Sequence, residues 1–136
     1  MTTLTITAEQ TQQLLATAQQ VLVNAYAPYS QFRVGAAVLT EQGNIFVGCN
    51  VENVSYGLSM CAERNAIATA IAVEGGDTIN IKAIAIVNDR DISCSPCGAC
   101  RQVIWEFGQD AVVIFRGDQT WQTLKITELL PAGFSF

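Results

Sequence analysis

Ile81-Lys82-Ala83-Ile84-Ala85-Ile86-Val87 is apolar at every position except Lys82. A strand with one wet face alternates apolar and polar residues, whereas a strand covered on both faces reads as a nearly continuous apolar run. The run therefore predicts a central strand with other elements above and below it, and this decides the fold class. Moving outward toward the C-terminus, Ser95-Pro96 reads as a helix start, with serine as cap and proline at the first helical position. That helix extends to about Phe107 and stops at Gly108. Ala111 to Phe115 repeats the buried-strand pattern, Gly117-Asp118 marks a turn, and Thr120 to Lys125 reads as an edge strand. Thr127 to Leu130 forms a last helical turn before Pro131.

Moving outward the other way, Met60 to Val73 places Ala66, Ile67, Ala70 and Ile71 on one helical stripe, and Gly75-Gly76 ends it. Phe32 to Thr40 and Ile45 to Cys49 flank Glu41-Gln42-Gly43-Asn44, the pattern of a hairpin. Thr7 and Gln10 have capping-box spacing. Leu14, Leu15, Ala18, Leu22 and Ala25 then follow a helical period up to Ala27-Pro28, where proline discourages further helix. No repeat, low-complexity tract or linker interrupts the order α-β-β-α-β-α-β-β. The expected fold is α/β: a three-layer α/β/α sandwich around a mixed five-stranded sheet, in one domain over residues 1–136.

Composition narrows the function. The chain has 136 residues, half of them hydrophobic, enough for a real core, yet no apolar run is long enough to span a bilayer. Met1 to Thr7 lacks the basic flank and apolar stretch of a signal peptide, so a cytoplasmic protein is expected. Seven basic and twelve acidic side chains give a net charge of -5, and no lysine lies between Met1 and Ile81. Nucleic acids are held largely by Lys and Arg on their phosphates, so neither a nucleic acid polymer nor an anionic membrane is an expected partner. A small neutral molecule fits better. Five cysteines make an odd set, which argues for metal over a fully paired disulfide framework.

Three of those cysteines form a pattern: Cys61-Ala62-Glu63-Arg64, then Pro96-Cys97-Gly98-Ala99-Cys100-Arg101-Gln102. Three thiolates can hold zinc and leave its fourth tetrahedral position open, as in catalytic sites. The chain contains no histidine, so Glu63 is the candidate to move protons. Cys97 and Cys100, three apart at a helix start, share one side of its first turn. Cys61 is also placed at a helix start, where partial positive charge and free N–H groups favour thiolate. Three thiolates on one divalent ion leave a formal charge of -1, which Arg64 and Arg101 are placed to offset. Glu63 follows Cys61 by two residues, about 200° round the helix. Both therefore serve one reaction only if the substrate lies off the helix end. Two other readings use the same thiols. Cys94 can join them to close a structural zinc site, or the Cys94, Cys97, Cys100 spacing can hold an iron–sulfur cluster. Against the cluster, Ile104 occupies the usual fourth cysteine position.

These segments resemble the cytidine deaminase family, in its short, zinc-dependent, homotetrameric branch. The likeness extends to Ala27-Pro28-Tyr29-Ser30-Gln31-Phe32-Arg33-Val34-Gly35-Ala36-Ala37, to Gly48-Cys49-Asn50-Val51-Glu52-Asn53 and to Leu129-Leu130-Pro131-Ala132-Gly133-Phe134. The resemblance implies hydrolytic deamination of cytidine, and of deoxycytidine, with one zinc per chain held by Cys61, Cys97 and Cys100. It implies Glu63 as proton shuttle, Asn50 and Glu52 on the ribose hydroxyls, Phe32 against the base, and the Ala62 backbone near the pyrimidine carbonyl. Phe134 would enter a neighbouring subunit's pocket in a homotetramer. Cys94 departs from the aliphatic residue common there and is read as a non-ligand. The related blasticidin-type aminonucleoside deaminases share the zinc segments, and the Asn50/Glu52 pair favours cytidine over them. Read without the resemblance, Phe32 is strand core, Asn50 and Glu52 are solvated loop residues, Arg64 is a surface helix residue, and Phe134 seals a C-terminal edge.

Overall fold

The computed structural model describes residues 6–136; the reading of Met1 to Thr7 as free of a leader pattern falls mostly on residues outside these. Nine elements surround one short 3-10 turn at Tyr56–Leu58. They are α1 (Ala8–Leu22), β1 (Val34–Thr40), β2 (Ile45–Cys49), α2 (Ala62–Glu74), β3 (Ile81–Asn88), α3 (Gly98–Phe107), β4 (Val112–Arg116), β5 (Trp121–Lys125) and α4 (Ile126–Leu129). The five strands form one sheet in the order β2-β1-β3-β4-β5. β1 pairs antiparallel with both β2 and β3, β3 runs parallel to β4, and β5 returns antiparallel at the edge. The sheet is mixed, as the element order predicts, and β3 lies at its centre, as the apolar run at Ile81 predicts.

Alternation along the strands divides the core into two layers. Ala37 and Leu39 of β1, Ala83, Ala85 and Val87 of β3, and Ile114 of β4 pack with Leu14, Ala18 and Leu22 of α1. Ala36, Val38, Ile84, Ile86 and Val113 pack on the opposite face with Ala66 and Ile67 of α2, Ile104 of α3 and Ile126 of α4. Two glycines let backbones meet closely: a Cβ on Gly35 would collide with the Ala18 carbonyl, and one on Gly48 with the Ala66 amide and the Ala62 carbonyl. Gly48 thereby lets the first turn of α2 lie flat on β2, which fixes the position of Cys61 and Glu63.

Local signals set most boundaries. The Thr7–Gln10 capping box forms in both directions. Gly75, at φ +96, ends α2 in a conformation that other residues adopt at a cost. Most expected boundaries hold to within a residue or two, and three departures have an identifiable setting. α1 ends at Leu22 rather than near Ala27, because Tyr26 is captured by long-range pairing: its N–H donates to the Asn50 carbonyl and its carbonyl accepts from Glu52 N–H. β1 starts at Val34, since Phe32 and Arg33 are held in a loop. α3 starts at Gly98 with Cys97 as N-cap, not at Ser95-Pro96. The Arg101 side chain takes the Pro96 carbonyl at 2.7 Å and Ser95 Oγ at 3.1 Å, which keeps both residues outside the helix.

Candidate active site

Two helix N-termini meet at the sulfurs. Cys61 is the N-cap of α2, Cys97 is the N-cap of α3, and Cys100 lies buried in the first turn of α3. One sulfur from each of the three lies within 4.8 Å of the other two. The Cys97 and Cys100 sulfurs are 3.5 Å apart. Neither helix caps its first turn with a side chain, so free N–H groups and the positive helix ends face the cluster. A zinc ion bound by thiolates at about 2.3 Å each needs sulfurs at this kind of spacing, and the all-sulfur donor set suits that metal. The residues fit the group.

Arg64 donates from Nη2 to the Cys61 sulfur at 3.4 Å. Hydrogen bonds from the Cys100 thiol and then from Arg64 pull the Cys61 thiol down to about 5, against the opposing effect of burial. Cys100 moves the other way, because it donates to Cys61 and lies buried near Glu63. One sulfur is thus a ready thiolate, and a cation displaces the protons that remain. Arg101 does not share the role expected for it. Its guanidinium braces Pro96, Ser95 and the Leu129 carbonyl, so it fixes the loop before α3 rather than offsetting sulfur charge.

A cavity of about 260 Å³ opens beside the sulfurs. Its lining includes Cys61, Ala62, Glu63, Cys94, Ser95 and Cys97 from the sulfur-bearing segments, the apolar Val34 and Met60, and the polar pair Asn50 and Glu52. Both Cys61 and Glu63 line it, despite their separation of about 200° round α2. Glu63 is only 5% exposed. Burial raises its proton affinity above the ordinary carboxylate range, and the nearby Cys61 charge adds to the rise. A carboxyl poised this way can both take and return a proton. Cys94 lines the cavity while standing outside the three-sulfur cluster. Its thiol keeps its proton more tightly than usual, chiefly through burial and then through the charge on Glu63.

Of the polar pair, Asn50 accepts from Val34 N–H at 2.8 Å and donates to the Phe32 carbonyl at 2.8 Å. One donor hydrogen and one lone pair of its amide remain for a ligand. Glu52 is cradled by a loop twenty-odd residues earlier: Tyr29 and Ser30 N–H groups donate to Oε1, and the Ser30 hydroxyl donates to Oε2. The Ser30 hydroxyl is the main cause that holds the Glu52 carboxyl below the ordinary carboxylate range. Ser30 is the functional residue that residue-by-residue reading passed over, since nothing local links it to Glu52. Phe32 and Phe134 do not line this cavity. Phe32 has its backbone clamped by Asn50. Phe134 is 64% exposed, its backbone held in both directions by the Gln102 side chain of α3, and its ring packs edge-on against Phe136.

Known proteins share much of this sequence and fold. The family described as the cytidine and deoxycytidylate deaminase zinc-binding region matches residues 8–116. The chain is similar to the cytidine deaminase of Sporosarcina psychrophila, 41% identical over 128 residues that cover 91% of this chain and 90% of that protein. It is also similar to the probable cytidine deaminase of Dictyostelium discoideum, 44% identical, covering 93% of this chain and 85% of that one. Among solved structures, the cytidine deaminase from Burkholderia pseudomallei aligns with a TM-score of 0.80 at 40% identity, covering 95% of this chain and all of that one. The enzyme from Mycobacterium tuberculosis gives 0.80 at 37% identity, covering 92% and 97%.

Proposed function

This chain belongs to the cytidine and deoxycytidylate deaminase family, and on that premise we propose a role for each residue in its cavity. The reaction is the hydrolytic deamination of cytidine, giving uridine and ammonia, with zinc as cofactor. Cys61, Cys97 and Cys100 hold one ion. Zinc, when bound, supplies the Lewis acidity that lets water ionise near neutral pH. Glu63 takes a proton from the attacking water and passes it to the ring nitrogen beside the target carbon. It then takes the proton of the newly added hydroxyl and delivers it to the amine, so that the carbonyl forms as ammonia leaves and one carboxyl serves first as base and then as acid. Asn50 and Glu52 orient the sugar, the Ala62 backbone faces the pyrimidine carbonyl, and Arg64 tempers the charge of the thiolates. Deoxycytidine, which keeps the 3′-hydroxyl, is a second substrate.

One observation carries this reading: a buried carboxyl of raised proton affinity shares a cavity with Cys61 and Cys97 of the three-sulfur cluster and with a polar pair suited to vicinal hydroxyls. Phe32 packs behind the base, and Phe134, exposed in the single chain, enters the site of a neighbouring copy in a homotetramer. No described helix is long and apolar enough to cross a membrane. Among the described residues all five cysteines are free, which suits the reducing cytoplasm. The test is to follow ultraviolet loss and ammonia release from cytidine, with a blasticidin-type aminonucleoside as the competing substrate. One ammonia per uridine, abolished by a chelator and restored by zinc, supports the assignment. Turnover that survives complete metal removal, or preference for the competing substrate, overturns it.

A further inference from the structure

Arg90 belongs to the loop between β3 and α3, the same loop that leads to Cys94 and Cys97, and none of the chemistry above uses it. Its guanidinium reaches across to the loop that holds Glu52. Nη2 donates to the carbonyls of Ser30 and Gln31, each at 3.2 Å, and the guanidinium carbon lies 5.5 Å from the centre of the Phe32 ring. At its base, the Arg90 N–H donates to Asn88 Oδ1 at 3.0 Å, which anchors the side chain to the end of the central strand. A second tie runs in parallel: Asp89 Oδ1 accepts from Arg33 N–H at 3.2 Å.

The backbone on both sides of this bridge is unusual. Gln31, at φ +54, and Asp91, at φ +49, are the non-glycine residues with positive φ among the described residues. Such conformations persist where surrounding contacts over-determine them. Gln31 presents one of the two carbonyls that Arg90 binds, and Asp91 is the next residue after Arg90. Ser30, whose carbonyl is the other, directs both its N–H and its hydroxyl at Glu52. Displacement of Ser30 would therefore move two of the donors that orient the Glu52 carboxylate. We infer that Arg90 is a positioning residue for substrate binding: it locks the Ser30–Phe32 turn onto the sulfur-bearing loop, and so fixes the distance between the sugar anchor and the reacting end of the cavity.

This rests on Glu52 as sugar anchor, and the experiment separates the two. Steady-state kinetics are measured for wild type, Arg90→Met, Arg90→Lys and Glu52→Ala, on cytidine and on 2′,3′-dideoxycytidine, with zinc content determined for each. Charge-assisted hydrogen bonds of this kind, lost at one remove from substrate, lead us to expect about a tenfold rise in KM for cytidine in Arg90→Met, with kcat within about twofold. Arg90→Lys keeps a donor but not the planar fork, and its KM falls between the two. Dideoxycytidine, which lacks the hydroxyls to be anchored, shows the same KM with wild type and Arg90→Met. An equal KM rise on both substrates, a fall in kcat alone, or no change on cytidine overturns the positioning role. If Glu52→Ala leaves cytidine KM unchanged, the sugar-anchor reading itself fails; if Glu52→Ala raises it and Arg90→Met does not, only the Arg90 inference fails. Should Arg90→Met not accumulate, Arg90→Lys supplies the same comparison between substrates.

Discussion

Glu63 and Glu52 are two carboxyl groups lining one cavity, and their surroundings push them in opposite directions. Glu63, buried beside a thiolate, is raised; Glu52, cradled by Ser30 and Tyr29, is lowered. This split matches the duties proposed for them, since a proton shuttle must visit both states and a sugar anchor should stay charged. Replacing Glu63 with alanine should reduce kcat by roughly 10²–10⁴-fold, the range for loss of a general acid–base group, with zinc content unchanged. Atomic absorption on the same sample checks the second half. Glu52 makes a pH prediction. A lowered carboxyl keeps its charge as pH falls through the ordinary carboxylate range and loses it only below. Uridine affinity is followed by calorimetry from neutral pH downward in wild type and in Ser30→Ala, so that the Glu63 titration common to both cancels. In Ser30→Ala the decline should begin at higher pH; superimposable profiles would show that Ser30 does not set the Glu52 charge.

The elements that carry the site were mostly readable from residue pattern, and the exceptions share a cause. Helix periodicity and Gly75 placed α2 to within two residues, because its start and stop depend on its own sequence. α1 and α3 were misjudged at the ends where distant groups intervene: Asn50 and Glu52 capture Tyr26, and Arg101 captures Ser95 and Pro96. Cradles such as Ser30–Glu52 have no local pattern at all. Packing between elements makes its own prediction. Gly48→Ala puts a methyl group against the Ala66 amide and the Ala62 carbonyl, both backbone, so the first turn of α2 must shift. Overpacking of this kind should cost about 1–3 kcal/mol in chemical denaturation and lower zinc occupancy along with it. A variant with unchanged stability and full zinc would mean that β2 does not set the height of Cys61.

At the scale of the whole molecule, three layers bring two helix N-termini to one side of a central strand, and the sequence order alone implied the layers. It did not imply how the loops after β2 and after β3 line the cavity. The exposed aromatics belong to this scale as well. Phe134 and Phe136, and the edge-packed pair Tyr29 and Tyr56 near the sugar end, leave a single chain with large apolar side chains in water. The proposed assembly of four copies would cover such surface. Light scattering should give the mass of four chains, and Phe134→Ala should retain that mass while raising KM for cytidine by about tenfold, as expected for loss of one aromatic contact to a ligand. A fully active monomer would remove Phe134 from the site.

The open coordination position is what separates an enzyme from a zinc staple in this chain. Cys94 lines the same cavity as Cys61 and Cys97, and it is the further thiol there that could close that position. X-ray absorption at the zinc edge counts the ligands of the purified protein directly. The account predicts three sulfurs at about 2.3 Å and one oxygen, unchanged in Cys94→Val. Four sulfurs in wild type, falling to three in that variant, would contradict it.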